Sequence, residues 1–272
     1  MPTAAAATAA TATPTPPPQE DEGKYRSSWS VAGSAERNSG PIAETLAPLL
    51  PAPPAGSAGQ HEQRRRPLVL ELSSGFGHQI STLASRATHV DFQPTEADAY
   101  LCSRIDSTCS ASPNVKRAQV LDVLEQQAWL GLMHAVPSLS QESHGHDDDG
   151  DGAFDAVVVC NLTHVAPWSV TESLFAHLDP RLTYLTESGQ KPILRRRGWI
   201  AIYGAFNEHG GFTSDGNRQF DDTIKARNPH FGLRDVQGEL VPLAQRHGFE
   251  LQQRIEMPAG NLMLIFGLAQ PQ

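Results

Sequence analysis

Three carboxylates fall at the ends of three successive β-rich runs, and the first of them leads into a glycine turn. Glu71 sits in Leu68-Val69-Leu70-Glu71-Leu72, which continues as Ser73-Ser74-Gly75-Phe76-Gly77-His78. Glycine at a strand-to-helix turn lets the backbone approach a ligand, and the first N–H groups of the following helix are free to face it. A dinucleotide fingerprint reads Gly-x-Gly-x-x-Gly. The run here reads acid-x-Ser-x-Gly-x-Gly, with Ser73 in the first glycine position and Gly75 and Gly77 after it. An acid in that place repels a pyrophosphate and attracts a ligand end that carries positive charge. The plainer alternative is a tight turn with no ligand.

Glu96, in Gln93-Pro94-Thr95-Glu96, lies about twenty residues beyond the glycines, where an acid hydrogen-bonds a ribose hydroxyl. Its structural alternative is helix capping together with Thr95. Asp122, in Leu121-Asp122-Val123, ends a third β-rich run and is placed to accept from an adenine amino group, or else to cap a helix. An adenosine bearing a cationic amino acid end matches all three acids, and S-adenosylmethionine is that cofactor. After the most apolar strand comes Asn161-Leu162-Thr163-His164-Val165-Ala166-Pro167-Trp168. Asn161 is a further cofactor contact. His164 is the candidate catalytic base, taking a proton from an acceptor N–H or O–H, with loop orientation as its alternative role. Trp168, Tyr203 and Asn261 are candidate substrate-binding residues, with core packing as the alternative for Trp168.

Strand and helix patterns alternate around these residues. The strands are expected at Leu68–Leu72, 90–93, 118–121, Phe154–Cys160 and 199–203, and the helices at 80–86, 96–104, 124–133 and 169–177. Such alternation calls for a parallel sheet with helices on both faces. A helix over 236–247 ends at Gly248, after which 249–257 and 262–268 are separated only by Pro258-Ala259-Gly260-Asn261. Four residues turn a hairpin but cannot hold a crossover helix, so this last pair is antiparallel. The expected fold class is therefore α/β: a Rossmann-like class I methyltransferase fold, with a seven-stranded, mostly parallel sheet whose last strand is antiparallel. A dinucleotide dehydrogenase ends instead on a parallel strand.

The motifs together resemble the methyltransferase-like protein 26 family. The resemblance rests on Asn161-x-x-His164-x-x-Pro167-Trp168, Gln93-Pro94, Tyr203-Gly204-x-Phe206 and Asn217-x-x-Phe220-Asp221. Gly232-x-Arg234-Asp235 and Met257-Pro258-Ala259-x-Asn261 complete it. It runs from about Arg37 to Phe266 and implies a class I S-adenosylmethionine-dependent fold of unestablished acceptor. Phe76 stands where that family usually has Thr, Ala205 where it has Pro, and Gly260 where it has a second Asn beside Asn261.

Composition bounds the rest. The chain has 272 residues, 39% of them hydrophobic, enough for a single domain with a substantial core. Residues 1–24, rich in Ala, Thr and Pro, have little to bury and are expected to be disordered; residues 25–272 form the methyltransferase-like domain. Loop insertions are expected near 51–66, 138–152 and 179–197. The second carries His144, His146 and Asp147 to Asp149, and is read as a flexible polar loop rather than a metal site; no metal is expected. Lys plus Arg number 21 against 30 Asp plus Glu, a net charge of -9 that disfavours nucleic acid as a partner. The triplets Arg64–Arg66 and Arg195–Arg197 read as solvated loop ends before strands. No run spans a bilayer, so no membrane partner is expected. Three cysteines without CxxC spacing fit a reducing, cytoplasmic setting. The sequence thus points to a methyltransferase acting on an unidentified small molecule or protein side chain. A catalytically silent binding module of the same fold is the alternative, and a nicotinamide oxidoreductase ranks third. Oligomeric state is not legible.

Overall fold

A computed structural model describes residues 33–51, 66–135, 152–186 and 189–269. Seven strands form one sheet: β1 (Leu68–Leu72), β2 (Asp91–Glu96), β3 (Gln119–Val120), β4 (Phe154–Cys160), β7 (Leu194–Ala205), β10 (Phe249–Glu256) and β11 (Asn261–Leu268). Their spatial order is β3-β2-β1-β4-β7-β11-β10. β1 pairs in parallel with β2 and β4, and β4 pairs in parallel with β7. β11 runs antiparallel to both β7 and β10, so it alone opposes the sheet direction. The strand order reverses between β1 and β4, and in open α/β sheets the crevice outside such a switch point is where ligands bind.

Alternation along β1 shows how the layers are built. Leu68, Leu70 and Leu72 point into one core and Val69 into the other, so the strand is buried on both sides. The first core takes in Trp129, Leu132 and Met133 of α4 (Gln126–Ala135), Leu174, Phe175 and Leu178 of α5 (Trp168–Leu178), and Leu243 of α7 (Val241–Arg246). The second holds Ile42 and Leu46 of α1 (Ser34–Leu46), Ile80 and Leu83 of α2 (His78–Arg86), and Ile105 of α3 (Ala99–Thr108). This is the Rossmann-like class I arrangement expected from the alternation and from the final hairpin. The hairpin turns through Ala259 and Gly260, both in the left-handed region.

Several local expectations need correction. Strand β2 extends to Glu96, so that carboxylate ends a strand rather than opening a helix. Strand β3 shrinks to two residues, with Val120 54% exposed, because an edge strand has a single neighbour to shield it. β7 begins at Leu194, which places Arg195–Arg197 inside a strand rather than at a loop end. Arg195 is mostly buried, its Nε 3.7 Å from Asp155 Oδ1. Segment 179–197 is not a bare loop either: β5 (Tyr184–Thr186) and β6 (Gly189–Lys191) form a small antiparallel pair. Expectations for residues 1–32, for most of 51–66 and for 138–151 lie outside the described residues.

The largest unexpected feature is the cap, a 206–235 excursion between β7 and the turn Val236–Leu240. It holds the short pair β8 (Asn207–Glu208) and β9 (Gly211–Phe212), then α6 (Asp215–Arg227). The Ser214 side chain caps α6 by accepting from the Asn217 N–H at 3.1 Å. Ala205, Ile224 and Leu233, with Phe212, Phe220 and Phe231, give the cap an apolar centre of its own. Asp221, 1% exposed, accepts from Leu233 N at 2.8 Å and from Lys225 Nζ at 2.6 Å. Asn217 donates to Gly260 O across to the hairpin turn. Asn207 N donates to Arg234 O, so the chain leaves and returns side by side.

Candidate functional site

Ser73, just past β1, adopts φ 55°, and Gly75 and Gly77 follow at 60° and 81°. Gly77 is the N-cap of α2, and a side chain there would be crowded: an added Cβ would lie 3.3 Å from Ile105 Cα. The turn thus lies close against α3, and its own N–H groups are taken up locally: Ser74 N donates to Thr95 O, Gly75 N to Glu96 Oε1 and Gly77 N to Ser74 O. Asn161 does the same past β4, with φ 60° and its N–H donating to Tyr203 O at 2.8 Å. Two non-glycine residues in the left-handed region, at the ends of adjacent strands, are held there by their surroundings.

Glu71 and Glu96 both address this loop. Glu96 Oε1 accepts from Gly75 N at 3.0 Å and its Oε2 from Ala97 N at 2.8 Å. Asp98, not Glu96, caps α3, accepting from Tyr100 N, which leaves Glu96 without the capping role. Glu71 is 2% exposed, and its Oε2 has no hydrogen-bond partner among the described residues. Burial pushes the Glu71 carboxyl up to about 8; the Ser74 hydroxyl partly opposes that rise and the Glu96 charge adds to it. Burial also raises Glu96, against the two N–H groups that favour its charged form. Two buried carboxyl groups surround one glycine turn; Glu71, with its orphan oxygen, is kept protonated at neutral pH by burial and would ionise only where a cationic ligand offsets that cost.

Asp122 stands apart. It is exposed just past β3, and its Oδ1 accepts from Leu124 N at 2.9 Å, a local turn cap. Ser73, Gly75, Glu71 and Glu96 are therefore brought together, while Asp122 lies at the rim.

The acceptor-side candidates divide between the two faces. Tyr203 lies in the second core, 1% exposed, and its hydroxyl accepts from Asn261 Nδ2 at 2.9 Å. Burial pushes the Tyr203 phenol up to about 12. The next residue, Gly204, faces the other way. A Cβ there would meet His164 Nδ1 at 3.0 Å, so the missing side chain makes room for the imidazole. His164 is 3% exposed, packs edge-on against Phe220 of the cap, and leaves Nδ1 unpartnered among the described residues. Burial, with the Arg234 charge second, lowers it to about 4, so at neutral pH it is an uncharged imidazole. Trp168 opens α5 with the Arg234 guanidinium 5.5 Å over its ring. His164 and Trp168 share one wall with the cap; Tyr203 and Asn261 form a separate pair on the opposite face.

Sequence reasoning assigned the cap no role, although its motifs were visible. Ser214 as a cap residue, followed by Asn217, Phe220, Asp221 and Ile224 at helical spacing, was the available signal. Among the described residues no three His, Cys, Asp or Glu side chains converge on a metal position. Burial also raises all three thiols.

The profile of the family described as protein of unknown function (DUF938) matches residues 29–267. The chain belongs to that family. Solved structures place this DUF938 member among class I methyltransferase folds. It is similar to an O-methyltransferase family protein from Burkholderia thailandensis, with TM-score 0.58 and 11% identity, over 85% of this chain and 56% of that one. It is similar to CalO1, a methyltransferase in calicheamicin biosynthesis in its SAH-bound form, with TM-score 0.55 and 14% identity, over 87% and 54%. It is likewise similar to an O-methyltransferase family 2 protein from Planctomyces limnophilus in complex with apigenin, with TM-score 0.55 and 12% identity, over 87% and 58%. The DUF938 chain thus spans little more than half the length of these neighbours, and the likeness is one of fold. No helix among the described residues is long and apolar enough to cross a membrane.

Proposed function

We propose that this chain is an S-adenosylmethionine-dependent methyltransferase acting on a small molecule or a protein side chain, and that its relatives include the methyltransferase-like protein 26 family. The observation that carries the reading is the Glu71–Glu96 pair: two buried carboxylates at adjacent strand ends, facing one glycine turn, with Glu71 Oε2 unpartnered among the described residues. A pyrophosphate does not suit such a pair; a ligand with an ammonium and a sulfonium does. Fold neighbours named as methyltransferases, one of them SAH-bound, support the same reading.

In this proposal the cofactor's amino acid end lies by Glu71, Ser73 and Gly75, where Glu71 meets its ammonium. Gly77 keeps the turn close to α3. Glu96 holds the ribose hydroxyls with the lone pairs that Gly75 and Ala97 leave free. Asp122, at the rim, addresses the adenine amino group, and Asn161 flanks the ligand from β4. When bound, the cofactor supplies a methyl group on an electron-poor sulfur, so the protein has little covalent work to do; positioning and desolvation carry most of the rate. His164, uncharged at neutral pH, is the residue proposed to take an acceptor's proton, with Trp168 beside it as an acceptor contact; Tyr203 and Asn261, paired on the opposite face, do not share that wall.

Calorimetric titration with S-adenosylmethionine, S-adenosylhomocysteine and NAD in parallel tests the proposal. Binding of the two adenosyl compounds and not of NAD is expected. NAD binding alone would overturn it.

A further inference from the structure

The loop that carries His164 and Trp168 is not held by its own strand. Three of its carbonyls are taken up by the cap. Arg234 Nε donates to Thr163 O at 3.0 Å and its Nη2 to Ala166 O at 2.8 Å. Gly232 N donates to His164 O at 3.0 Å. Three of four successive loop carbonyls are therefore served from one three-residue stretch of the cap. The same guanidinium reaches His230 O at 3.1 Å within the cap and lies over the Trp168 ring. All three of its hydrogen-bond acceptors are main-chain oxygens, so its planar fork acts as a bracket between two segments of backbone. The charged groups that act on Arg234 are Glu239, just beyond it, and Asp221 of α6; the one that acts on His164 is Arg234.

Phe220 closes the arrangement from α6 by packing on the His164 ring, while Gly204 leaves that ring its space. The imidazole is thus fixed on three sides by strand, helix and loop backbone, with Nδ1 unpartnered among the described residues. Polar atoms buried without a partner cost stability, so one that is kept calls for another role. The orphaned Nδ1 and the neighbouring orphaned Thr163 Oγ1 both lie in the bracketed loop.

We propose that Arg234 is a positioning residue that joins the cap and the Asn161–Trp168 loop into one unit, so that the cap sets the placement of His164 and Trp168 on the acceptor side. The placement on the acceptor side rests on the methyltransferase reading; the clamp itself does not. A lysine at 234 keeps the positive charge but cannot serve two carbonyls in a fork. Charge and clamp are therefore separable.

The test uses the full chain with Arg234→Ala and Arg234→Lys. Hydrogen–deuterium exchange is read on peptides covering 161–168, and the His164 imidazole is titrated by NMR, assigned with His164→Gln. Loop protection is expected to fall about tenfold or more in Arg234→Ala and severalfold in Arg234→Lys, with the β1 and β2 peptides unchanged. His164 is expected to titrate at higher pH in Arg234→Ala and close to the parent in Arg234→Lys. S-adenosylhomocysteine affinity is expected to stay within about twofold of the parent, because Glu71, Gly75 and Glu96 are held by other elements and Asn161 is held by its N–H on Tyr203 O, ahead of the clamped carbonyls. Unchanged loop exchange in a folded variant overturns the clamp, as does a uniform rise across the chain. If Arg234→Ala does not fold, Arg234→Lys decides on the same criteria. A tenfold loss of S-adenosylhomocysteine affinity in Arg234→Lys overturns the acceptor-side placement. If the parent binds no S-adenosylhomocysteine, the methyltransferase reading fails, and the exchange data still judge the clamp.

Discussion

Replacing Glu71 with glutamine should make the unliganded protein more stable and its cofactor binding weaker, and the size of the first effect follows from burial. The carboxyl is pushed from its ordinary 4.5 to about 8, chiefly by desolvation. Below pH 4.5 the group carries its proton in both the folded and unfolded chain, so it contributes no pH-dependent difference. Above that the unfolded chain releases the proton while the folded chain keeps it, and stability falls as pH rises until the folded carboxyl also ionises near 8. The interval 8 − 4.5, at about 1.4 kcal/mol per pH unit, puts the ceiling of this loss at about 5 kcal/mol. Local relaxation and water entry keep the realised figure below that ceiling. Glu71→Gln does not titrate, so its advantage over the parent should be smallest at pH 5, grow through pH 7 and level off by pH 9. Urea unfolding of both proteins at those three values measures the gap directly. Any constant offset from the amide's own hydrogen bonding cancels, because only the change with pH counts. A gap that stays the same at all three values would refute the burial argument. At pH 8.5 the same variant should bind S-adenosylhomocysteine at least about tenfold more weakly, since a charge-assisted bond to an ammonium contributes roughly 1.5–3 kcal/mol.

Three further outcomes follow. Glu96→Ala should weaken S-adenosylhomocysteine binding by about tenfold or more in calorimetry and Glu96→Gln by less, because the amide keeps one acceptor; parent-like affinity in Glu96→Ala would remove that residue from the site. Gly77→Ala places a Cβ 3.3 Å from Ile105 Cα at φ 81° and should cost about 1–3 kcal/mol in urea unfolding; an unchanged midpoint would contradict the tight approach of turn and helix. Deleting residues 1–24 should leave the thermal midpoint and cofactor affinity as they are, and a loss of several degrees would show that the segment packs on the domain.

The parts of the fold visible in the sequence are those where burial forces a local pattern. Phe154–Cys160 reads as a buried strand because it is covered on both faces. The hairpin across Pro258–Asn261 follows from chain length alone. The cap was missed because α6, Asp-Gly-Asn-Arg-Gln-Phe-Asp-Asp-Thr-Ile-Lys-Ala-Arg, buries only Asn217, Asp221 and Ile224, too narrow a stripe to announce a helix. Arg195–Arg197 looked like a loop end because three charges in a row ordinarily sit in solvent; here they occupy an irregularity of β7 between its Leu194 and Trp199 pairings with β4. The spacing of Glu71, Glu96 and Asp122 was legible, but their environments were not. Only tertiary packing makes Glu71 buried and partly unpaired, sets Glu96 on Gly75 N and leaves Asp122 at the surface. The separation of His164 from Tyr203 likewise depends on which face of β7 each borders, and no linear spacing conveys it.

The most direct test of the central claim is the structure of the protein crystallised with S-adenosylhomocysteine. The account predicts ligand density across the carboxyl ends of β1, β2 and β4, with both ribose hydroxyls within hydrogen-bond reach of Glu96 and the ammonium beside Glu71. Ligand density anywhere else on the molecule, or a ribose that leaves Glu96 with Gly75 N and Ala97 N as its only partners, would contradict it.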